Sequence, residues 1–280
     1  MKIGAIAESL NQPRLEAIRS YGKMGIQGVQ MYCGKEFVKF SDAQINEILD
    51  TAKESGVVIV SVCGDIGGHD FQIEDRCMQH AEFMCSVVDT ACRLHCRIIT
   101  THIGVVPSDK TDPVYPIMKK SIRYAAEYAA SKGCIFAIET GPEQPETLRA
   151  FIEDVNSDGL GVNLDPANLR MVSQADPVHA VEVLGKYIVH THAKDGKVLK
   201  PGSAAAFYGM VNPDGSNREF SEPAIECLEV PLGQGQVPWD EYISALKKIG
   251  YDGFLTIERE CGDDPAGDIK LAYDFLKARI

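Results

Sequence analysis

The sequence predicts an α/β fold, a single (β/α)8 or TIM barrel spanning residues 1–280, and three observations lead to it. Eight short apolar stretches alternate with eight amphipathic ones along the chain. No Pro/Ser-rich tract, charge block or low-complexity run divides that alternation. Four of the apolar stretches close on a carboxylate or an imidazole, the pattern expected where parallel strands deliver polar groups to one rim. A doubly wound sheet of about six strands would use part of this pattern, but eight regular units favour closure.

The first strand is expected at 3–7, and Pro13 suits the first turn of a helix with Leu15, Ile18 and Met24 among its apolar positions. A second strand follows at 28–33. Ser41 and Asp42 can cap a helix running to about Ser55, with Ile45, Ile48, Leu49 and Ala52 on one face, and Gly56 stops it before a third strand at 57–63. A longer helix at 73–94 leads to the fourth strand, 98–103, which carries His102 near its end. A helix at 113–131 ends before Gly133, and the fifth strand closes on Glu139. Strands six to eight close on Asp165, His192 and Glu258, with helices at 146–155, 176–185, 239–249 and 265–278. One connection, 196–237, far exceeds the ~2 to 6 residues usual for such loops and is expected to be a lid on the same rim as the strand ends.

Composition narrows the partners. Lys and Arg number 28 against 40 Asp and Glu, and a net charge of −12 repels a phosphate backbone, so no nucleic acid is expected. A small neutral or weakly charged substrate fits better. The N-terminus runs straight into a strand pattern, and no apolar run is long enough to span a bilayer, so the expected location is cytoplasmic with no membrane partner. Nine cysteines without a CxxC pair argue for reduced thiols rather than a disulfide framework. Cys92 and Cys96, with His95 between, could be taken for a zinc fragment, but their spacing of four on an expected helix reads better as small buried apolar positions.

The stretch 188–195 concentrates the chemistry. Side chains alternate along a strand, so His190, His192 and Lys194 share one face, opposite Val189, Thr191 and Ala193. Glu139, Asp165, His192 and Glu258 come from four successive strands and line one arc of the barrel mouth. Carboxylates plus one imidazole suit a single catalytic divalent ion, Mn²⁺ ahead of Mg²⁺ or Co²⁺, and the lack of cysteine ligands argues against structural zinc. Salt-bridged or solvated strand ends would explain any one of the four. The inward positions Gly161, Asn163 and Thr256 are small or polar, however, where a filled barrel would pack bulky side chains. His102 and His190 are expected to contact substrate or orient the ligands, unless each is a satisfied barrel histidine. Glu143 is expected as a substrate ligand, against a solvated loop acid. Lys194 could neutralise an enolate or a substrate carboxylate, with Asp195 holding it or a ligand. Gly233 and Gly235 lack the spacing of a nucleotide fingerprint and read as a turn that needs glycine.

These strand ends occur with the runs Glu139-Thr140-Gly141, Asn163-Leu164-Asp165-Pro166-Ala167-Asn168, His192-Ala193-Lys194-Asp195, Pro231-Leu232-Gly233-Gln234-Gly235 and Gly253-Phe254-Leu255-Thr256-Ile257-Glu258. Together they resemble the sugar phosphate isomerase/epimerase family with its xylose isomerase-like TIM barrel, over nearly the whole chain. The resemblance implies one divalent metal held by Glu139, Asp165, His192 and Glu258, with Glu139 and Glu258 also acting as acid/base groups in ketose 3-epimerase members. One departure concerns the position three residues after the metal aspartate, commonly histidine in those epimerases and Asn168 here. Its amide can hydrogen-bond a sugar hydroxyl but does not titrate near neutrality.

The expected function is a metal-dependent isomerase or epimerase of a sugar or keto-sugar through an enediolate, acting on a small carbohydrate and compatible with a homo-oligomer. The nearest alternative is a dehydratase or lyase on a keto-inositol or keto-sugar using the same metal site. An apurinic endonuclease would share the barrel but needs a metal cluster rich in histidine, which Asn168 and the net charge disfavour. A non-catalytic sugar-binding barrel is a fourth reading.

Overall fold

A computed structural model describes residues 1–280 and closes the eight expected strands into one parallel barrel. In chain order its elements begin with β1 (Lys2–Ile6), α1 (Arg14–Met24), β2 (Gly28–Tyr32), α2 (Asp42–Glu54), β3 (Val58–Cys63), α3 (Cys77–Arg93) and β4 (Ile98–Thr101). They continue with α4 (Val114–Ser131), β5 (Ile135–Glu139), α5 (Pro145–Val155), β6 (Leu160–Leu164), the single turn α6 (Pro166–Asn168), α7 (Pro177–Leu184) and β7 (Ile188–Ala193). The last are β8 (Asp195–Lys200), α8 (Ala204–Tyr208), β9 (Glu226–Val230), α9 (Trp239–Lys248), β10 (Phe254–Ile257) and α10 (Pro265–Lys277). Around the barrel the order is β1, β10, β7, β6, β5, β4, β3, β2.

Local chemistry sets the element ends. Ser41 and Gln44 form a reciprocal capping box at the start of α2, and Ile45, Ile48 and Ala52 bury its inner face. Pro145 opens α5, whose last residue is followed by Asn156 in the left-handed region. Phe136, Phe151, Tyr21 and Tyr242 are fully buried in the apolar layer between barrel and helices. Inside the barrel, polar residues replace apolar packing: Gln30, Ser61, Thr100, Asn163, His190 and Thr256 are all buried. The parallel registers shift at Val29/Gln30 between β2 and β3 and at Val162/Asn163 between β6 and β7. Such irregularities re-aim side chains. Both involve a residue that contacts His192.

Three expectations change in detail. The helix expected from 73 begins at Cys77, because residues 70–72 form a separate 3₁₀ turn. Cys92 and Cys96 do not share a buried helical face: Cys92 is exposed in the last turn of α3, whereas His95 takes a left-handed φ of 56° and carries Cys96 into the interior. The connection at 196–237 contains regular structure, with a two-stranded hairpin at its base. Only Lys194 separates β7 from β8, which pairs antiparallel with β9 and has α8 in the excursion between them. No helix is long and apolar enough to cross a membrane.

Candidate active site

The four strand-end groups converge. β10, β7, β6 and β5 are consecutive neighbours in the barrel, and Glu139, Asp165, His192 and Glu258 each bring one potential ligand atom to within 4.8 Å of the others. His192 Nδ1 lies 3.0 Å from Glu258 Oε2, 3.3 Å from Glu139 Oε1 and 3.5 Å from Asp165 Oδ2. All four residues are buried.

Asp165 owes its orientation to backbone geometry. It caps α6, accepting the Asn168 N–H at 2.8 Å on Oδ1, and its own N–H donates to Thr140 Oγ1 at 2.8 Å. That leaves Asp165 Oδ2 aimed at the cluster. Both this oxygen and Glu258 Oε2 are buried: His192 Nδ1 faces the two of them, and Lys194 Nζ also approaches Glu258 Oε2. Three buried carboxylates sharing one imidazole are costly unless a cation meets them. The donor set, three carboxylates and one imidazole, fits a hard or borderline divalent ion.

Beneath the cluster lies a polar floor. Asn163 Nδ2 donates to Glu139 Oε2 at 3.2 Å and stands 3.1 Å from His192 Nε2. Gln30 Oε1 receives Ser61 Oγ–H at 2.7 Å and lies 3.0 Å from His190 Nε2 and 3.3 Å from His192 Nε2. Burial holds His190 well below the usual imidazole range, and His192 adds to the effect, so His190 is a neutral member of this floor. Asn168 Nδ2 donates to Glu139 Oε1 at 3.2 Å, so this amide holds one of the glutamates.

Charge around the cluster is paired on two sides. Burial would neutralise Lys194, but Glu258, Asp165, Glu260 and Glu229 together raise it well above the usual lysine range. Its Nζ lies 2.5 Å from Glu260 Oε2, 3.4 Å from Glu258 Oε2 and 3.6 Å from Glu229 Oε2. Burial pushes Asp165 up to about 6, despite the opposing hydrogen bond to His192. On the other side His102 Nδ1 meets Asp65 Oδ2 at 3.0 Å, while Nε2 faces Glu139 Oε1 at 3.5 Å. Burial opposes the His102 charge, but Glu139 and Asp65 outweigh it and raise the imidazole to about 9.

A model of the family described as "Xylose isomerase-like TIM barrel" matches residues 18–279. This chain belongs to the xylose isomerase-like TIM-barrel family. Its relatives include the uncharacterized protein YfiH of Bacillus subtilis (strain 168), 31% identical over 178 residues, which are 60% of this chain and 53% of YfiH. Another is the uncharacterized protein MJ1311 of Methanocaldococcus jannaschii, 21% identical with 70% of this chain and 62% of that protein covered. The chain thus spans less than two thirds of the length of these two relatives.

Solved structures share the fold. A xylose isomerase domain protein from Planctomyces limnophilus superposes with a TM-score of 0.77 at 23% identity, covering 99% of this chain and 95% of that one. The probable 3-DHS dehydratase AsbF of Bacillus anthracis gives 0.73 at 20% identity with both chains fully covered. The 3-keto-D-glucoside 4-epimerase YcjR of E. coli gives 0.70 at 17% identity, with 99% of each chain covered.

In this xylose isomerase-like barrel a cavity of about 500 Å³ opens over the cluster. Glu139, His192 and Glu258 line it, and of the expected substrate contacts so do His102, Asn168 and Lys194. The other two lie elsewhere. His190 is below, in the floor, and Glu143 lines a neighbouring cavity of about 350 Å³ with Asp112, Thr147 and Met210. The lid contributes Phe207 and Tyr208 from α8 and Cys227 and Glu229 from β9. Asp195 holds neither Lys194 nor the cluster. It accepts the N–H groups of Gly196, Gly233, Gly235 and Val237 and the Trp239 indole at 2.9 to 3.2 Å, tying both ends of the lid together. Glycine is required there, since a Cβ on Gly235 would fall 1.9 Å from Asp195 Oδ1 and Gly233 has φ +83°.

Sequence reasoning did not single out Gln30, Ser61, Asp65 or Glu229. Gln30 and Ser61 carried a usable signal, a polar side chain in an apolar strand. Glu229 carried none, because its role depends on how the lid folds back.

Proposed function

We propose that this protein is a divalent-metal-dependent isomerase or epimerase of an uncharged sugar or keto-sugar, working through an enediolate. The observation that carries the reading is the convergence of three buried carboxylates, Glu139, Asp165 and Glu258, on the one imidazole of His192, with one potential ligand atom from each within 4.8 Å of the others. A divalent ion held by these four residues, Mn²⁺ ahead of Mg²⁺ or Co²⁺, would act as a Lewis acid toward the substrate carbonyl and the charge that develops on it.

The chain's own groups account for the proton transfers. Glu139 and Glu258 stand at the two ends of the arc formed by β5, β6, β7 and β10. One removes the proton from the carbon beside the carbonyl, and the other returns a proton to the opposite face, which inverts that centre. Burial alone would protonate Glu258, but Lys194 and His192 hold it well below the usual carboxylate range, so it enters the reaction ionised. Asn168 and Asn163 hold the two oxygens of Glu139. The lid residues Phe207 and Tyr208 offer an apolar face to the ring and limit water at the reacting carbon. Lys194 is the sole lysine or arginine lining the cavity, and it is already shared among carboxylates, which disfavours a phosphorylated or carboxylated substrate.

A second reading, elimination of water from a keto-inositol or keto-sugar, is favoured by one observation. His102, paired with Asp65 and facing Glu139, is placed to protonate a departing hydroxyl. Incubation with Mn²⁺ and a panel of free keto-sugars and inososes in deuterium oxide separates the readings. Epimerisation gives a product of unchanged composition carrying solvent deuterium at the reacting carbon, whereas elimination gives a product lighter by one water. Metal-loaded protein that exchanges and converts none of the panel would sink both.

A further inference from the structure

Cys92 Sγ lies 3.5 Å from Cys134 Sγ, joining the last turn of α3 to the residue that precedes β5, on the side of the barrel away from the cluster. The two residues are 42 apart in sequence. Their surroundings differ: Cys92 is exposed, while Cys134 is 1% exposed, with its sulfur 3.9 Å from the Lys132 carbonyl and 4.0 Å from the Cys96 carbonyl. A surface thiol touching a buried one has the layout of an attacking and a resolving cysteine. Cys96, the other nearby thiol, is turned away onto the Ile98 carbonyl at 3.4 Å.

We propose that Cys92 and Cys134 form an oxidation site at which a peroxide generates a disulfide between them. The Cys92 thiolate attacks a peroxide oxygen; a sulfur–oxygen bond forms, the oxygen–oxygen bond breaks, and one water leaves after protonation. The Cys134 sulfur then attacks the Cys92 sulfur. A sulfur–sulfur bond forms, the sulfur–oxygen bond breaks, and a second water departs with the Cys134 proton. Two thiols are oxidised by two electrons while one peroxide is reduced to two waters. Burial pushes the Cys134 thiol up to about 12, with the Cys92 sulfur adding to it, which leaves the exposed Cys92 as the first sulfur to be oxidised. The sulfurs need to close to about 2.0 Å, which rotation of Cys92 at a helix end can supply. The resulting bridge encloses β4 and α4 and would brace the base of the strand that ends in Glu139.

The test uses the full chain exposed to a small excess of hydrogen peroxide, then blocked with an alkylating agent and mapped by non-reducing peptide mass spectrometry. The expected result is a linked Cys92–Cys134 peptide pair, reversed by dithiothreitol, in a protein that melts no lower than the reduced form. In Cys92→Ser, Cys134 should stay reduced and take up the alkylating agent once the protein is unfolded in denaturant. In Cys134→Ser and Cys134→Ala, Cys92 should proceed to sulfinic acid for lack of a resolving partner. A link from Cys92 to Cys96, oxidised Cys92 beside free Cys134 in the unsubstituted chain, inert Cys92, or a fall in melting temperature on linking would each overturn the proposal.

Discussion

Lys194 Nζ stands 3.4 Å from Glu258 Oε2, so the residue that ends the β7 run carries the counter-charge for a carboxylate that follows β10. With its side chain 7% exposed, Lys194 belongs to a buried ionic group with Glu258 and Glu229, while its remaining partner, Glu260, is 52% exposed. Removing one partner of such a group leaves the others unpaired. Lys194→Met should therefore lower unfolding free energy by about 3–5 kcal/mol, measured by urea denaturation of the chelated protein near neutral pH. A change below about 1 kcal/mol would place this group among weakly contributing surface pairs.

Glu258→Gln separates metal holding from proton transfer. The glutamine carbonyl can still coordinate but has no useful basicity. Turnover should fall about 10²- to 10⁴-fold, while calorimetry still detects Mn²⁺ binding. A variant that binds Mn²⁺ and works within a few-fold of the unsubstituted enzyme would move the base to His102 or Lys194.

Ion content tests the cluster directly. Protein equilibrated with Mn²⁺ and desalted should retain about one ion per chain by elemental analysis. At an ion concentration about 100-fold above its dissociation constant, folding should gain about 2.7 kcal/mol relative to chelated protein. Asp165→Asn should lose both effects. Retention of the same ion content by Asp165→Asn would mean that the ion sits elsewhere.

Glu143 offers a pH signature away from the cluster. Burial pushes its carboxyl from an ordinary 4.5 up to about 7. Folding thus favours the protonated form, so its contribution is fully present below the unfolded value and is lost as pH rises through about 7. The displacement is worth roughly 3 kcal/mol. Between about pH 4 and pH 8.5 the unsubstituted protein should lose roughly that much relative to Glu143→Gln in parallel urea titrations. Equal pH dependence in the two proteins would show that Glu143 is solvated.

The barrel and the four converging groups were legible because strand alternation and strand ends are local signals. Glu139, Asp165, His192 and Glu258 each close an apolar run, and parallel closure puts all such ends on one rim. The supporting groups were less legible for a physical reason: a hydrogen-bond partner such as Gln30 is chosen by register, and the shift at Val29/Gln30 is invisible before the strands pair. Cys92 was misplaced because its spacing of four from Cys96 was read as one helical face, whereas the helix ends at Arg93 and the chain turns left-handed at His95. Apart from Gly196, the partners of Asp195 lie 38 to 44 residues downstream, beyond the reach of any local pattern, although the glycines among them already signalled a constrained turn.

That single carboxylate also limits what a change in the excursion costs the barrel. Because Asp195 gathers the backbone on both sides of the lid, the barrel experiences the whole excursion as a short, already closed loop. Changes of length or composition toward its tip, around 201–225, add little closure cost, which grows only with the logarithm of loop length. What such a change would disturb is the docking of the excursion on the barrel, where Arg218 pairs with Asp112 and the Glu74 N–H donates to the Pro213 carbonyl.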